Sequence, residues 1–236
     1  MRVRLGPVLL ASLSVALAGP LPAWAAAKKP LTLEAITADP PLVSRGAADA
    51  SWRDASHLTF TLPDEYRHDE PSPLFEVDAK TGKRIKLIEP LAIQPRTIPE
   101  KTLPFTGASW SPDGRTLLLS GDKDLWLYGL ERKDLRRVTR DENEEDAASF
   151  SPDGRLVAFV RKNDLYVLDV SSGKETRLTT TGTETKLNGV LDWVYEEELA
   201  NRKSRKSYAF SPDSASIVYL SLDDSHVPEY PIVDYV

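Results

Sequence analysis

Cysteine is absent from this sequence of 236 residues. A thiol nucleophile, a disulfide and a thiolate metal site are therefore excluded, and an oxidising compartment is tolerated without disulfides. Basic residues are outnumbered, because 30 lysines and arginines stand against 36 aspartates and glutamates and give a net charge of −6. A nucleic-acid-binding surface normally shows a clustered basic excess, so we expect no nucleic-acid partner.

Several catalytic and cofactor-binding motifs are also missing. The sequence contains no Gly-x-Ser-x-Gly nucleophile motif, no Gly-rich phosphate loop and no His-x-x-x-His pair. His57, His68 and His226 lack patterned serine and aspartate partners, so we interpret them as surface or turn residues. The acidic run 140–146 lacks the spacing of a Ca²⁺ loop and is interpreted as a solvated loop between repeats. We therefore predict no catalytic residue, no cofactor and no metal in this chain.

The N-terminus has the order of a secretory signal. Residues 1–25 carry Arg2 and Arg4, then an apolar run from Val8 to Ala18, then small residues that end at Ala25. A membrane-spanning helix needs about 20 apolar residues, and this run is shorter. We predict a signal peptide over residues 1–25 and export to the periplasm or the medium. The alternative is an uncleaved N-terminal membrane anchor.

An internal repeat dominates the rest of the chain. SWSPDGRTLLLSGDKDLWLYGL at 109–130 aligns with SFSPDGRLVAFVRKNDLYVLDV at 149–170 and, more loosely, with AFSPDSASIVYLSLDDSHVPEY at 209–230. Each copy starts with an aromatic residue, Trp110, Phe150 or Phe210, before a Ser-Pro-Asp turn. Proline fixes φ there, and the glycine that follows Ser-Pro-Asp in the first two copies supplies the positive φ of a tight turn. Each unit is therefore predicted to be a series of short strands joined by turns.

The spacing of the repeat indicates the fold. Ser111 and Ser151 lie 40 residues apart, the length of one four-stranded β-propeller blade. Ser151 and Ser211 lie 60 residues apart, so about 20 extra residues stand between them. A degenerate earlier copy begins at Ser51. The sequence predicts an all-β fold, a partial β-propeller of about three to four blades with one insertion.

The insertion coincides with GVLDWVYEEELANRKSRKS at 189–207. Asp192 is a helix N-cap candidate, the three glutamates 196–198 would lie in the first turns, and the basic residues 202–206 would lie near the helix end. We predict a short helix in which Trp193 and Tyr195 pack. The glutamates either solvate the helix surface or form a binding site, since excursions of repeat proteins commonly build the binding face.

The stretch DWVYEEEL at 192–199 resembles the double-glutamate motif of the dipeptidyl peptidase IV family, and the flanking NGVLDW and VPEYPIVDY are similar as well. The resemblance implies that residues 26–236 form the N-terminal part of an eight-bladed propeller, followed by a C-terminal α/β-hydrolase domain with the catalytic Ser, Asp and His. It also implies that Glu197 and Glu198 bind the free N-terminal ammonium of peptide substrates, and it allows a homodimer.

One position departs from the family pattern. The family often adds an arginine that contacts the substrate's carbonyl region, whereas DLWLYGL at 124–130 has a leucine near that place, and Arg96 is a candidate substitute. Two functions stay open from the sequence. The first is the propeller region of an exported serine dipeptidyl peptidase, and the alternative is a non-catalytic exported propeller that binds or scaffolds other proteins. The paired glutamates favour the first.

Overall fold

The structure is a computed structural model, and it describes residues 32, 47–62, 72–89, 93, 105–198, 200 and 204–228. The chain divides into two compact units, Met1–Leu42 and Val43–Val236, and every element named below belongs to the second unit. The signal peptide predicted for residues 1–25, and also His68 and Arg96, lie outside the described residues.

Three four-stranded antiparallel sheets follow one another along the chain, and in each the strand order is the chain order. We call them blades 1 to 3. Blade 1 contains β1 (Ala48–Trp52), β2 (His57–Thr61), β3 (Leu74–Asp78) and β4 (Arg84–Ile88). Blade 2 contains β5 (Phe105–Trp110), β6 (Thr116–Gly121), β7 (Asp124–Gly129) and β8 (Asp134–Arg137). Blade 3 contains β9 (Asp146–Phe150), β10 (Leu156–Arg161), β11 (Asp164–Asp169) and β12 (Glu175–Arg177).

A fourth set of strands is built differently, and we call it blade 4. Its strands are β13 (Lys186–Asn188), β14 (Tyr208–Phe210), β15 (Ile217–Tyr219) and β16 (Ser221–Asp223). β13 pairs with β16, and β14 pairs with β15. A single helix of the described chain, α1 (Trp193–Glu198), lies between β13 and β14.

The blades stack because both faces of the middle strands are apolar. In β6 and β7, Leu117 and Trp126 belong to a cluster shared with Ile88 of blade 1. Leu118 and Leu125, one position away, belong to a cluster shared with Phe159 of blade 3. Successive side chains of a strand point to opposite faces, so the continuous apolar run in each repeat is what a sheet buried on both faces requires.

The repeated turns are closed by the same polar contacts. Ser111 Oγ donates to Asp113 at 2.6 Å, Ser151 Oγ to Asp153 at 2.7 Å, and Ser211 Oγ to Asp213 at 2.5 Å. The same three aspartates have lowered pKa values, and the serine hydrogen bond to the ionised carboxylate is the main cause in each. The Ser-Pro-Asp sequence therefore encodes a turn that closes on its own side chains.

The prediction of an all-β partial propeller with a short helical insertion is confirmed by this stack of antiparallel sheets. One detail was wrong. The run 140–146 is not simply a solvated loop, because the Glu145 side chain is fully buried against Arg161, with Oε1 2.6 Å from Nη2. Burial raises the pKa of Glu145, although hydrogen bonds from Thr139 and Arg161 oppose the rise.

Candidate functional site

The helical excursion interrupts one strand of blade 4. Asn188 opposes Ser221, and Tyr208 opposes Tyr219. The two positions are two residues apart on the side of β15 and β16 but 20 residues apart on the side of β13 and β14. A continuous antiparallel strand would advance by only two, and the remaining 18 residues are looped out of the sheet. The excursion leaves the sheet after β13 and returns before β14, and these two strands lie end to end in the blade. A β-bridge between Val190 and Lys206 closes the base of the excursion.

Helix α1 begins as the sequence predicts. Asp192 Oδ1 accepts a hydrogen bond from the backbone N–H of Tyr195 at 2.7 Å, which makes Asp192 the N-cap. The helix has only six residues and ends at Glu198, so only Glu196 lies in its first turn and no basic residue lies in its last. Glu197 and Glu198 follow in the second turn, so the three glutamates lie in the first turns as predicted, whereas the expected basic end of the helix is wrong.

Glu197 and Glu198 close the helix at its C-terminal end. Glu197 is half-buried and Glu198 is exposed. The C-terminal end of a helix carries partial negative charge from its carbonyl groups, and two carboxylates add to it. The carboxylate-bearing end of α1 thus has the electrostatics to attract a cation. Adjacent helical residues point about 100° apart, so Glu197 and Glu198 leave α1 in different directions.

The apolar residues of α1 do not hold it in place. Trp193 is 73% exposed, Val194 55% and Tyr195 43%, and no residue of the helix is buried. Our expectation that Trp193 and Tyr195 pack into the protein is wrong for the described structure. The helix is therefore oriented from the base of the excursion, where Val190 and Leu191 are buried and polar contacts join the two legs.

Arg205 supplies most of those contacts. Its Nη2 donates to the carbonyl oxygen of Leu191 at 3.3 Å, and its own carbonyl oxygen accepts from the Leu191 N–H at 2.7 Å. Its Nη1 donates to Asp146 Oδ2 at 2.8 Å, and its Nε lies 3.6 Å from Glu196 Oε2. One side chain thus joins both legs of the excursion, the helix and β9 of blade 3.

The next residues fix the returning strand to blade 3. Lys206 Nζ donates to Ser149 Oγ at 2.8 Å, and burial lowers the pKa of this lysine. The Tyr208 hydroxyl lies 2.5 Å from the Ala147 carbonyl oxygen and 2.7 Å from that of Ala158. Burial raises the pKa of Tyr208, so the hydroxyl keeps its proton as a donor. The base of the excursion is consequently rigid.

Sequence reasoning missed Arg205 and Asp146. The run RKSRK at 202–206 was interpreted as the basic end of the helix, and Asp146 as one more residue of an acidic loop. Their contact spans 59 residues, and nothing in the local pattern indicates it.

The other sequence candidates that the structure describes do not form a second site. His57, the first residue of β2, pairs with Asp54 of the preceding turn. Among the described residues there is no group of three metal-ligating side chains, and no helix there is long and apolar enough to cross a membrane.

The stacked four-stranded meanders, with an acidic helix looped out of one strand, define a β-propeller protein with a surface excursion. A family profile described as "Dipeptidyl peptidase IV (DPP IV) N-terminal region" matches residues 111–236, which is more than half of the chain. The chain belongs to this family.

Individual relatives agree with the family. The chain is 44% identical over 80 residues to a probable dipeptidyl peptidase 4 of Aspergillus flavus, covering 34% of this chain and 10% of that protein. It is 36% identical over 141 residues to a putative dipeptidyl aminopeptidase of Schizosaccharomyces pombe, covering 54% and 17%. The crystal structure of Porphyromonas gingivalis dipeptidyl peptidase 4 superposes with a TM-score of 0.67 at 27% identity, covering 86% of this chain and 29% of that one. The chain therefore covers between 10% and 29% of the length of these relatives.

Proposed function

We propose that this chain is the propeller region of an exported serine dipeptidyl peptidase and that Glu197 and Glu198 bind the free N-terminal ammonium of peptide substrates. The observation that carries the proposal is the placement of both glutamates at the end of a helix looped out of blade 4, inside the matched family region. Removal of residues 1–25 on export, a downstream α/β-hydrolase domain with the catalytic Ser, Asp and His, and a homodimer belong to the same proposal.

The chemistry of a peptide N-terminus fits two carboxylates. Its amine has a pKa near 8 and is mostly protonated at neutral pH, with three N–H donors. Two carboxylates accept these donors in charge-assisted hydrogen bonds, which are stronger than neutral ones. An N-acylated or internal peptide segment has no such charge and leaves both carboxylates without a cation. Fixing the N-terminus also fixes which peptide bond reaches a nucleophile, and this is how an exopeptidase counts residues.

The test compares Glu197→Gln and Glu198→Gln in the product of the complete gene. Hydrogen bonds to charged groups contribute about 1.5–3 kcal/mol each, so we expect each substitution to lower kcat/KM for Ala-Pro-p-nitroanilide about 10- to 150-fold, mainly through KM. Glu144→Gln is the matched control, because Glu144 is an exposed glutamate in the loop between blades 2 and 3. It should leave kcat/KM unchanged.

The substrate series separates the two candidate functions. Wild-type protein should cleave the free-amine substrate and discriminate strongly against its N-acetylated form. Equal treatment of the two substrates, or full kcat/KM in both glutamate variants, would contradict the ammonium site. A complete gene product with no peptidase activity would instead support a non-catalytic binding or scaffold propeller.

A further inference from the structure

We propose that Arg205 is a positioning residue for the Glu197–Glu198 pair, and that it acts through Glu196 and Asp146. This inference rests on the proposed function of the pair. It concerns how the pair is held, because none of the residues of α1 itself is buried. A helix of six residues is also too short to be stable by itself in water, so external contacts decide its orientation.

Arg205 has the connections that such a role needs. It contacts Leu191 on the outgoing leg, Glu196 in the helix and Asp146 on β9. Glu196 directly precedes the proposed ammonium-binding pair, so a shift of Glu196 moves both carboxylates. Asp146 belongs to a different blade, whose neighbouring residues Ala147 and Ser149 are tied to Tyr208 and Lys206 of the returning strand. These contacts therefore position the helix relative to the stacked sheets.

The exposure of these ion pairs separates positioning from stability. The Arg205 side chain is 41% exposed and that of Asp146 38%, and ion pairs at such exposure contribute little to the free energy of unfolding. The reaction rate is more sensitive to these contacts than stability is, since a displacement of about 1 Å in a binding group can lower the rate about 100-fold. Loss of Arg205 should therefore loosen the helix while the propeller blades stay folded.

The variants are Arg205→Gln, Arg205→Lys, Asp146→Asn and the double variant of Arg205→Gln with Asp146→Asn, all in the complete gene product. We expect Arg205→Gln to raise KM for Ala-Pro-p-nitroanilide about tenfold, with a smaller change in kcat and an unchanged Tm. Asp146→Asn should raise KM less. The KM of the double variant should be no higher than that of Arg205→Gln alone, because both substitutions break the same Arg205–Asp146 contact. Arg205→Lys keeps one charged donor and should recover part of the loss.

Arg155→Gln is the matched control. Arg155 forms an ion pair with Asp153 at 2.8 Å in a blade 3 turn and is itself 82% exposed. It has no contact with the excursion among the described residues and should leave KM unchanged.

Two outcomes overturn the inference. The first is a KM of Arg205→Gln that equals the KM of Arg155→Gln. The second is a fall in Tm with a proportional loss of kcat in Arg205→Gln, Arg205→Lys and Asp146→Asn alike, because that result would indicate a purely structural residue. Glu197→Gln is measured in the same series. If Glu197→Gln raises KM and the Arg205 variants do not, only the positioning role fails, whereas an unchanged KM in both Glu197→Gln and Glu198→Gln refutes the ammonium site itself.

Discussion

Single residues in the repeated turns join one blade to the next. Gly114 and Gly154 follow the first two Ser-Pro-Asp sequences with φ of 67° and 72°, whereas Ser214 takes the same place in the third with φ of 61°. A serine in this left-handed region carries a strain that glycine avoids. Ser214 Oγ also accepts a hydrogen bond from the Asp153 N–H at 3.1 Å, which connects the turn of blade 4 to that of blade 3.

Ser214→Ala and Ser214→Gly should therefore differ. Alanine keeps the strain and loses the hydrogen bond, so we expect the free energy of unfolding to fall by about 0.5–1.5 kcal/mol. Glycine loses the same bond but relieves about 1 kcal/mol of strain, so its net effect should be close to zero. Urea unfolding of both variants against wild type measures the difference. Equal losses would show that the positive φ of Ser214 costs nothing.

The candidate site was only partly predictable at this scale. Glu197 and Glu198 could be named from the sequence because eight consecutive residues form a specific motif. Arg205 could not, because its function depends on Asp146, and the proximity of these two residues is created only when blades 3 and 4 stack.

Two hairpin turns repeat one arrangement at the level of elements. Asp78 Oδ1 accepts from the N–H groups of Lys80 and Thr81, and Asp169 Oδ1 accepts from the Ser172 N–H and the Ser171 hydroxyl. Gly82 and Gly173 follow with φ of 68° and 71°. Ser171 and then Ser172 stabilise the ionised form and lower the pKa of Asp169 to about 2. The β3–β4 and β11–β12 hairpins are therefore closed by an aspartate carboxylate.

Asp169→Asn should lower stability in a pH-dependent way. A carboxyl group with a lowered folded-state pKa contributes stability that is fully present above its unfolded pKa, which is near 3.8, and is lost as the pH falls through about 2. The difference in free energy of unfolding between wild type and variant should thus shrink from pH 5 to pH 2.5. Urea titrations at both pH values measure it, with Glu184→Gln, at an exposed loop position, as the control. A difference independent of pH would contradict the role of the carboxylate.

The 40-residue spacing predicted the strands and turns, because each repeat encodes its own hairpins locally. It did not predict that β13 and β14 share one line of the sheet. β13 and β14 lie on opposite sides of 18 looped-out positions, and they are aligned only through their pairing with β16 and β15. The length of α1 was missed as well, because the basic residues 202–206 suggested a later end of the helix.

A buried polar network joins blades 2 and 3 at the level of the whole molecule. Thr139, after the last strand of blade 2, donates to Glu145 Oε2 at 2.8 Å, and Glu145 Oε1 accepts from Arg161 Nη2 at 2.6 Å. Arg161 Nη1 continues to Glu175 Oε2 at 2.8 Å. Burial alone would lower the pKa of Arg161, but hydrogen bonds to Glu175 and Glu145 raise it above its ordinary value.

Arg161→Ala should be strongly destabilising at neutral pH. It leaves the fully buried Glu145 carboxylate without its cation, and breaking a buried ion pair in this way costs about 3–5 kcal/mol. Burial already raises the pKa of Glu145, and removal of Arg161 should raise it further. Because the folded state then binds the proton more tightly than the unfolded state, the loss should diminish as the pH falls from 7 to 5.

A neutral pair provides the control for that experiment. Glu145→Gln combined with Arg161→Met removes both charges, and the double variant should be more stable than Arg161→Ala alone at pH 7. Urea unfolding at pH 5 and pH 7 measures all three proteins. A loss in Arg161→Ala that is identical at both pH values would show that Glu145 is not left as an uncompensated charge.

The split strand of blade 4 separates the segment proposed to bind substrates from the sheets that hold the protein together. Hydrogen bonding on both sides of the excursion fixes the register of the blade, and Val190 and Leu191 are buried at its base. The number and kind of residues beyond Leu191 are therefore not set by the sheet. The entropic cost of a surface loop grows only slowly with its length. Evolution can therefore exchange this segment for one that selects another chemical group, and protein engineers can graft new recognition segments there, while the stacked blades remain as they are.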